Sequence, residues 1–484
     1  MPVSTVVPAV PSTPAPAATP VTEPGAGDAP LLELVGGSIQ VPLVTGEHVR
    51  FANLDNAAST SALRAVQEAV DEFLPWYSSV HRGAGFPSQV STAAYTAARE
   101  VVRGFVGGRD DDTVLFTRNT TDALNLLAGA LPPGTEVITF AGEHHANLLP
   151  WRRGSVRHLP VPGSPEGIVA VLDAALRTAG AGPKLVAVTG ASNVTGERWP
   201  VAEIARVAHR HGARIVVDAA QLAPHRPIDI AAWDVDYVAF SGHKLYAPLG
   251  AGALVGRPDW LDAGAPYLAG GGAVARVTLD DVDWATGPAR HEAGTPAVVG
   301  AVALAAACRA LEQAGWPAIE AHEAALLTRL RDGLAAIDGV TTYASWDAGH
   351  ERVGVVAFNL EGWDHARLAA ALSAEEGIGV RDGAFCAHPL LRELIAPDPG
   401  RRGPAGDAVP GAVRASIGVG TSADDVDRLL SALARLARDG ARWEYALRDG
   451  YVVPTPDPRP RPYLGGLLDA LPATAAAPAP CAGR

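Results

Sequence analysis

The chain has 484 residues, 48% of them hydrophobic, a formal net charge of −13 and three cysteines. That length and apolar content suit a large domain with a smaller one beside it, and the negative balance argues against a grip on a phosphate backbone, so no nucleic acid is expected as a partner. Three scattered cysteines, Cys308, Cys386 and Cys481, speak against a disulfide framework or a structural zinc site; no apolar run reaches the roughly 18 residues of a membrane span, and Arg50 comes too late for a secretory or transit segment, which makes the cytoplasm the expected address.

Residues 1–30 are rich in Pro, Ala and Thr and read as a disordered tail. TVLFTRNTTDALNLLAGAL, from Thr113, reads as strand, polar turn and helix. TEVITF from Thr135, KLVAVTG from Lys184, ARIVVDAAQ from Ala213 and VDYVAFSGHK from Val235 are strand-like, and PVAEIARVAHRHG between two of them is an amphipathic helix closed by Gly212. Strands alternating with helices predict an α/β fold with a mostly parallel central sheet flanked by helices, its ligands beyond the carboxyl ends of the strands. After Gly300 a long helical stretch leads into ERVGVVAFNL, a strand, then a helix around DHARLAAALSAEEG, then VRASIGVGTSADDVDRLLSALARLA, a strand followed by a helix. The expected division is a large domain over 31–310, whose first part packs on the small domain, a small C-terminal domain over 311–442 with the Cys386 loop, and a Pro-rich extension over 443–484 that Tyr451 and Tyr463 fold back onto the body.

The chain holds only two lysines, Lys184 and Lys244. Arginine stays protonated and cannot condense with an aldehyde, whereas a lysine of lowered pKa forms a Schiff base. Asp218 ends the apolar strand RIVVD, where a buried carboxylate should face a cation or a protonated ring. Past the next strand comes Ser241-Gly242-His243-Lys244, so an acid and an amine fall on neighbouring strand ends. A pyridoxal phosphate site needs that arrangement: the lysine holds the aldehyde and the aspartate keeps the pyridine nitrogen protonated. The turn before the Thr120 helix adds a place for an anion, with Thr120 and Thr121 at a helix N-terminus.

In order along the chain, NLDNAAST at Asn53, VHRG at Val80, RNTTDALNLLA at Arg118, GEHHANLLPW at Gly142, ASNVTGERWP at Ala191, VDAAQLAPHRPIDI at Val217, FSGHKLYAPLGAGAL at Phe240, HEAGTP at His291, VRDGAFCAHPLL at Val380 and VRASIGVGTSADDVDRL at Val413 resemble group II cysteine desulfurases and selenocysteine lyases, within the class V aminotransferase group of fold-type I pyridoxal phosphate enzymes. The resemblance implies a fold-type I architecture with pyridoxal 5′-phosphate as cofactor. It implies Lys244 as the Schiff-base lysine, Asp218 as partner of the ring nitrogen, Gln221 and Asn193 near the ring oxygen, and His144 stacked on the ring. Thr120, Thr121, Ser241 and His243 would take the phosphate, with Thr295 supplied by the other subunit of a homodimer. Arg414 resembles the fork for the substrate α-carboxylate, a two-point contact that lysine could not reproduce, with Arg381 and His81 of VHRG as further substrate contacts. EHH lacks the spacing of a zinc helix, and no metal is expected.

Cys386, in FCAHP, resembles the persulfide-forming nucleophile; Arg381 or a neighbouring histidine would favour its thiolate, and a sulfur-acceptor protein would be the second partner after L-cysteine or a relative. The implied reaction takes L-cysteine to L-alanine. Other class V reactions stay open, a C–S β-lyase, an epimerase or an aminotransferase in which Cys386 is a bystander, as does a non-catalytic scaffold of the same fold. Departures from the family pattern gather near the nucleophile: Asp382 after the loop arginine, Ala384-Phe385 before the cysteine, Gly420-Thr421 after VRAS, and the insertion APDPGRRGPAGDAVPG. A carboxylate at Asp382 opposes thiolate formation if it lies close to the sulfur.

Overall fold

The computed structural model describes residues 27–395 and 410–467. The expected tail up to residue 26, most of the insertion after Ile395, and Cys481 lie outside the described residues.

A seven-stranded sheet forms the larger layer. Its strands are β1 (Thr113–Thr117), β2 (Glu136–Phe140), β3 (Ser155–Leu159), β4 (Lys184–Thr189), β5 (Ala213–Asp218), β6 (Tyr237–Ser241) and β7 (Gly252–Gly256). They lie in the order β1-β7-β6-β5-β4-β2-β3. All neighbours from β3 to β6 pair in parallel, and only β7 runs antiparallel to both strands beside it. The near-continuous apolar runs of β4, β5 and β6 are what a sheet buried on both faces requires. Helices α1 (Arg64–Phe73), α2 (Phe86–Phe105), α3 (Thr120–Ala130), α4 (Pro165–Arg177) and α5 (Val201–Arg210) supply the cover. α5 turns Ile204, Ala205 and Ala208 into the same core as Val186, Ile215 and Val217.

The long helical stretch is two helices, α6 (Val298–Ala314) and α7 (Trp316–Ala335), bent by 82°. Gly315 sits between them at φ +81°, and Pro317 follows within the first turn of α7. A glycine of positive φ ends one helix and a proline opens the next. Residue 310 therefore lies inside α6, and the break in the backbone comes at Gly315. No single described helix is long and apolar enough to cross a membrane.

A four-stranded antiparallel sheet follows, β8 (Val340–Tyr343), β9 (Val355–Leu360), β10 (Arg381–Gly383) and β11 (Ala412–Ser416), in the order β8-β9-β11-β10. With α8 (His365–Glu376), α9 (His388–Ile395) and α10 (Ala423–Asp439) it makes the second layer. Its core draws on Leu330, Phe358, Leu372, Leu429 and Leu433, and on Ala52 and Leu54 from far upstream. Beyond α10 the chain forms a hairpin, Tyr445–Arg448 against Tyr451–Pro454. Buried Glu375 anchors it, taking hydrogen bonds from Arg442 N–H (3.0 Å) and the Tyr445 hydroxyl (3.0 Å). Tyr463 is 81% exposed, so the expected anchoring by that residue is corrected in favour of Tyr445, whose hydroxyl reaches a buried carboxylate.

One buried carboxylate on α7 links the two layers. Glu323 contacts His225 Nδ1 and accepts from Arg226 Nη1 (2.5 Å), both in the loop after β5, while Arg226 Nη2 donates to Arg352 O (2.9 Å) just before β9. Burial works to raise the Glu323 pKa, and His225 and Arg226 overcome it, holding the carboxyl below its usual range. Glu323→Ala is expected to cost about 3 kcal/mol by leaving buried Arg226 with only the half-exposed Glu351 (3.1 Å) as a carboxylate partner, read as a lower thermal midpoint. Because the folded-state pKa is depressed, this contribution is in place above the usual value of 4.5 and is lost as pH falls below it, so the gap between wild type and variant should narrow in acid.

Candidate active site

The parallel register sets the floor of the site. Thr189 pairs with Asp218 and Asp218 with Ala239, which aligns the carboxyl ends of β4, β5 and β6 along one edge. Beyond β6 the chain makes a short turn, Gly242–Lys244, which brings the amine into the same cavity as the Asp218 carboxylate. A cavity of about 490 Å³ opens over this edge, lined among others by Thr120, Thr121, His144, Asn193, Asp218, Gln221, Ser241, His243, Lys244, Arg381, Cys386 and Arg414. The sequence scattered these residues over nearly three hundred positions, and the fold brings them to one volume.

Burial lowers the Lys244 pKa to about 8, with Asp218 opposing and Arg414 adding to the shift. Burial likewise raises that of Asp218, against a hydrogen bond from Ala220 N–H (3.0 Å) and the attraction of Lys244. His144 is pulled down to about 3 by burial and then by Lys244, His145 and Arg414, so its ring is neutral. Its Nδ1 accepts from Ala146 N–H (3.1 Å), which places the ring proton on Nε2. Glu143 beneath it is wholly buried and pushed up to about 8 by burial, although Asn147 Nδ2 (2.8 Å) and Thr189 N–H (2.9 Å) both donate to it.

The anion end is built at the N-terminus of α3. Asn119 caps the helix through Asp122 N–H (3.0 Å), and Thr120 packs its N–H (2.8 Å) and hydroxyl (2.7 Å) on Ser241 Oγ. Gly252 on β7 permits this approach, since a Cβ there would lie 2.7 Å from Asn119 Cα and from Phe240 O. A helix N-terminus beside hydroxyls and His243 favours a phosphate, by up to about 2 kcal/mol for the dipole alone in a partly buried setting.

On the other wall, Arg414 of β11 is buried and lies directly across the strands from Arg381 of β10. Arg414 Nη1 donates to Asn193 O (2.9 Å) and Nη2 to Asp55 Oδ1 (3.2 Å), while Nε is buried with no hydrogen-bond partner. Next to it, Ala387 N–H donates to Ala384 O (2.9 Å) across a tight turn whose two central residues, Phe385 and Cys386, have φ of +51° and +53°. This is a turn with positive φ at both centres, a conformation that favours Asn and Gly. In larger side chains it costs about 1–2 kcal/mol per residue. Asp382 interacts with His365 Nδ1 (3.2 Å).

The cavity also tests whether pyridoxal 5′-phosphate fits the residues present. Asp218 is buried with no salt bridge among the described residues, and Gln221 Oε1 is buried without a partner, its Nε2 being spent on Ala57 O (2.7 Å). A polar ring with a protonated nitrogen, a nearby oxygen and a phosphate answers each of these groups, so the residues fit the cofactor. One residue expected among the substrate contacts lies elsewhere: His81 is exposed, does not line this cavity and rests edge-on against Tyr95, while Thr295, expected to serve the other subunit's site, is exposed and outside this chain's cavity. Asn193 turns its Nδ2 to Phe385 O (2.8 Å). Asp55 and Phe385 take site positions that the sequence had not assigned. Asp55 sits in the NLDNAAST motif, but its partner Arg414 is 359 residues away, and no local spacing connects them.

Comparison with known proteins agrees with this geometry. The profile described as Aminotransferase class-V matches residues 52–429. Among curated relatives, the chain is 37% identical over 392 residues to a probable cysteine desulfurase of Halobacterium salinarum, covering 78% of this chain and 90% of the relative. It is 38% identical over 402 residues to a cysteine desulfurase of Dickeya dadantii, covering 80% and 92%. Among solved structures, an apo cysteine desulfurase from Thermococcus onnurineus superposes with a TM-score of 0.71 at 34% identity, over 80% of this chain and 95% of that one. A cysteine desulfurase from Escherichia coli bearing an S-sulfonic acid gives 0.68 at 35%, over 80% and 94%. With its acid and amine on adjacent strand ends and the profile matching most of its length, the chain belongs to the class V aminotransferase family.

Proposed function

We propose that the protein is a pyridoxal phosphate-dependent cysteine desulfurase, which converts L-cysteine to L-alanine and leaves a persulfide on Cys386. The observation that supports this most directly is that Cys386 shares one cavity with Lys244 and Arg414 and couples electrostatically to both. A thiol so placed faces a substrate whose carboxylate rests on Arg414 and whose amine points to Lys244.

In this reading Lys244 holds the cofactor aldehyde, Asp218 the ring nitrogen, His144 the ring face, Gln221 and Asn193 the neighbourhood of the ring oxygen, and Thr120, Thr121, Ser241 and His243 the phosphate. When bound, the cofactor supplies a sink for the electrons of the substrate Cα–H bond. Arg414 binds and orients the carboxylate through the guanidinium edge that its protein contacts leave open, and Arg381 adds positive charge beside it. Lys244, its pKa near 8, takes the α-proton and can return it. The Cys386 thiolate attacks the substrate sulfur: an S–S bond forms, the C–S bond breaks with its electron pair remaining on carbon, and that carbon gains a proton to become the methyl of alanine. The two cations facing Cys386 favour its thiolate, and the His365 contact of Asp382 offsets part of the carboxylate's opposition.

The wider reading has a large cofactor-binding domain and a small one carrying the Cys386 loop. It makes the protein a cytoplasmic homodimer in which exposed Thr295 reaches the partner's site, and which hands sulfur to an acceptor protein.

Incubation of the holoenzyme with L-cysteine should yield alanine and a persulfide on Cys386; pyruvate with sulfide would point to β-elimination instead. Cys386→Ala should still bind cysteine, read as a change in cofactor absorbance, yet stop alanine release. If Cys386 were a bystander, the same change would cost only a packing adjustment of about a kcal/mol, and alanine formation near the wild-type rate would overturn the mechanism. Lys244→Arg should fold and keep its charge but lose turnover and borohydride-trappable cofactor, checked by peptide mapping. Because burial lowers the Lys244 pKa, the neutral amine gains population as pH rises toward 8, so covalent loading of the cofactor-free protein should accelerate up to about that pH and then level off.

A further inference from the structure

The residue before the nucleophile joins it to the carboxylate fork. Phe385 is 7% exposed and packs with Val194, Ala357 and Leu391 in a small core of its own. The Arg414 guanidinium lies 5.1 Å from the centroid of its ring. Its carbonyl accepts from Asn193 Nδ2 (2.8 Å), and the carbonyl of Cys386 accepts from His145 N–H (2.8 Å). Both central residues of a turn that disfavours large side chains are thus clamped, one by Arg414 and Asn193 and the other by the backbone of His145. The partition of Arg414 is equally specific: its nitrogens serve Asp55 and Asn193 O and leave Nε open, while its Cζ sits over the ring of Phe385.

We propose that Phe385 is a positioning residue whose ring, lying under the Arg414 guanidinium, holds Cys386 in its attacking turn, so that the group that binds the substrate carboxylate also aims the nucleophile. The inference rests on the reading of Cys386 as nucleophile and Arg414 as carboxylate fork. An aliphatic side chain of similar size could fill the same apolar niche but offers no π-face to the cation. The turn would then keep its unfavourable backbone with one of its restraints removed, and Cys386 would leave the attacking position for part of the time. A tyrosine retains the face and should retain the function.

The test compares wild type, Phe385→Leu and Phe385→Tyr as cofactor-loaded proteins with three readouts. These are the absorbance change on binding L-cysteine, kcat and KM for alanine formation, and the rate at which iodoacetamide alkylates Cys386, located by peptide mapping. For Phe385→Leu we expect normal cofactor loading and KM, a kcat lower by about tenfold, between the scales of an exposed and a fully desolvated cation–π contact, and alkylation of Cys386 several times faster than in wild type. Phe385→Tyr should match wild type in all three. Wild-type kcat or wild-type alkylation in Phe385→Leu overturns the proposal, as does a Phe385→Tyr protein no better than Phe385→Leu. Alkylation needs no turnover. If wild type released no alanine from cysteine, the desulfurase reading would fall, while the contrast in alkylation would still decide whether Phe385 holds the turn.

Discussion

A buried carboxylate, Asp218, and a half-buried amine, Lys244, that attract one another across the same sheet edge set the terms for the rest of the molecule. Neither group is stable alone at that depth, and their mutual attraction only partly offsets the burial that shifts both pKa values toward neutrality. The sheet must therefore deliver them to adjacent strand ends without error. Parallel pairing of β4, β5 and β6 does so through register, fixed where β-strands are buried on both faces and a slip by one residue would turn Asp218 away. The neutral His144 and the wholly buried Glu143 follow from the same constraint, since added positive charge on one, or a ready negative charge on the other, would disturb the pair.

The wall that carries Arg414 and Arg381 is built from another part of the chain and has to meet this floor. Arg414 and Arg381 face each other across β11 and β10, and Asp55, from the far N-terminal side of the fold, offsets part of their repulsion. Glu323 fastens the wall to the floor. Its partners come from the loop after the Asp218 strand, and through Arg226 it reaches the backbone ahead of β9, the strand beside Arg414. A buried network at this joint ties the strand beside Arg414 to the loop that follows Asp218.

Much of this was legible in the sequence because it is local. Apolar runs of strand length gave β4, β5 and β6, the amphipathic spacing of 201–210 gave its helix, and Lys244 stood out as one of two lysines. What stayed hidden is geometry between distant segments. The Asp55–Arg414 contact, the antiparallel order of the second sheet and the anchoring of the C-terminal hairpin by Glu375 each join residues with no shared periodicity. The break at Gly315 was written as Gly-Trp-Pro, yet an alanine-rich helical pattern on both sides of it reads as one continuous stretch. Phe385 was visible only as a departure from a family pattern; the cation over its ring depends on a strand nearly thirty residues later.

The scarcity of lysine has a chemical corollary. Pyridoxal phosphate is a reactive aldehyde that condenses with accessible amines, and a protein that carries it risks modifying itself. Of the 39 basic residues here all but two are arginine, inert toward that reaction. Lys184 opens β4 at its amino end, with its amine occupied by Gly180 O (3.1 Å) and Gly182 O (3.1 Å). That strand alone, six residues long, separates it from the carboxyl edge by about 17 Å at the usual rise per residue. Stray cofactor therefore meets almost no competing side-chain amine, and the aldehyde that stays bound reports occupancy of one place in the fold.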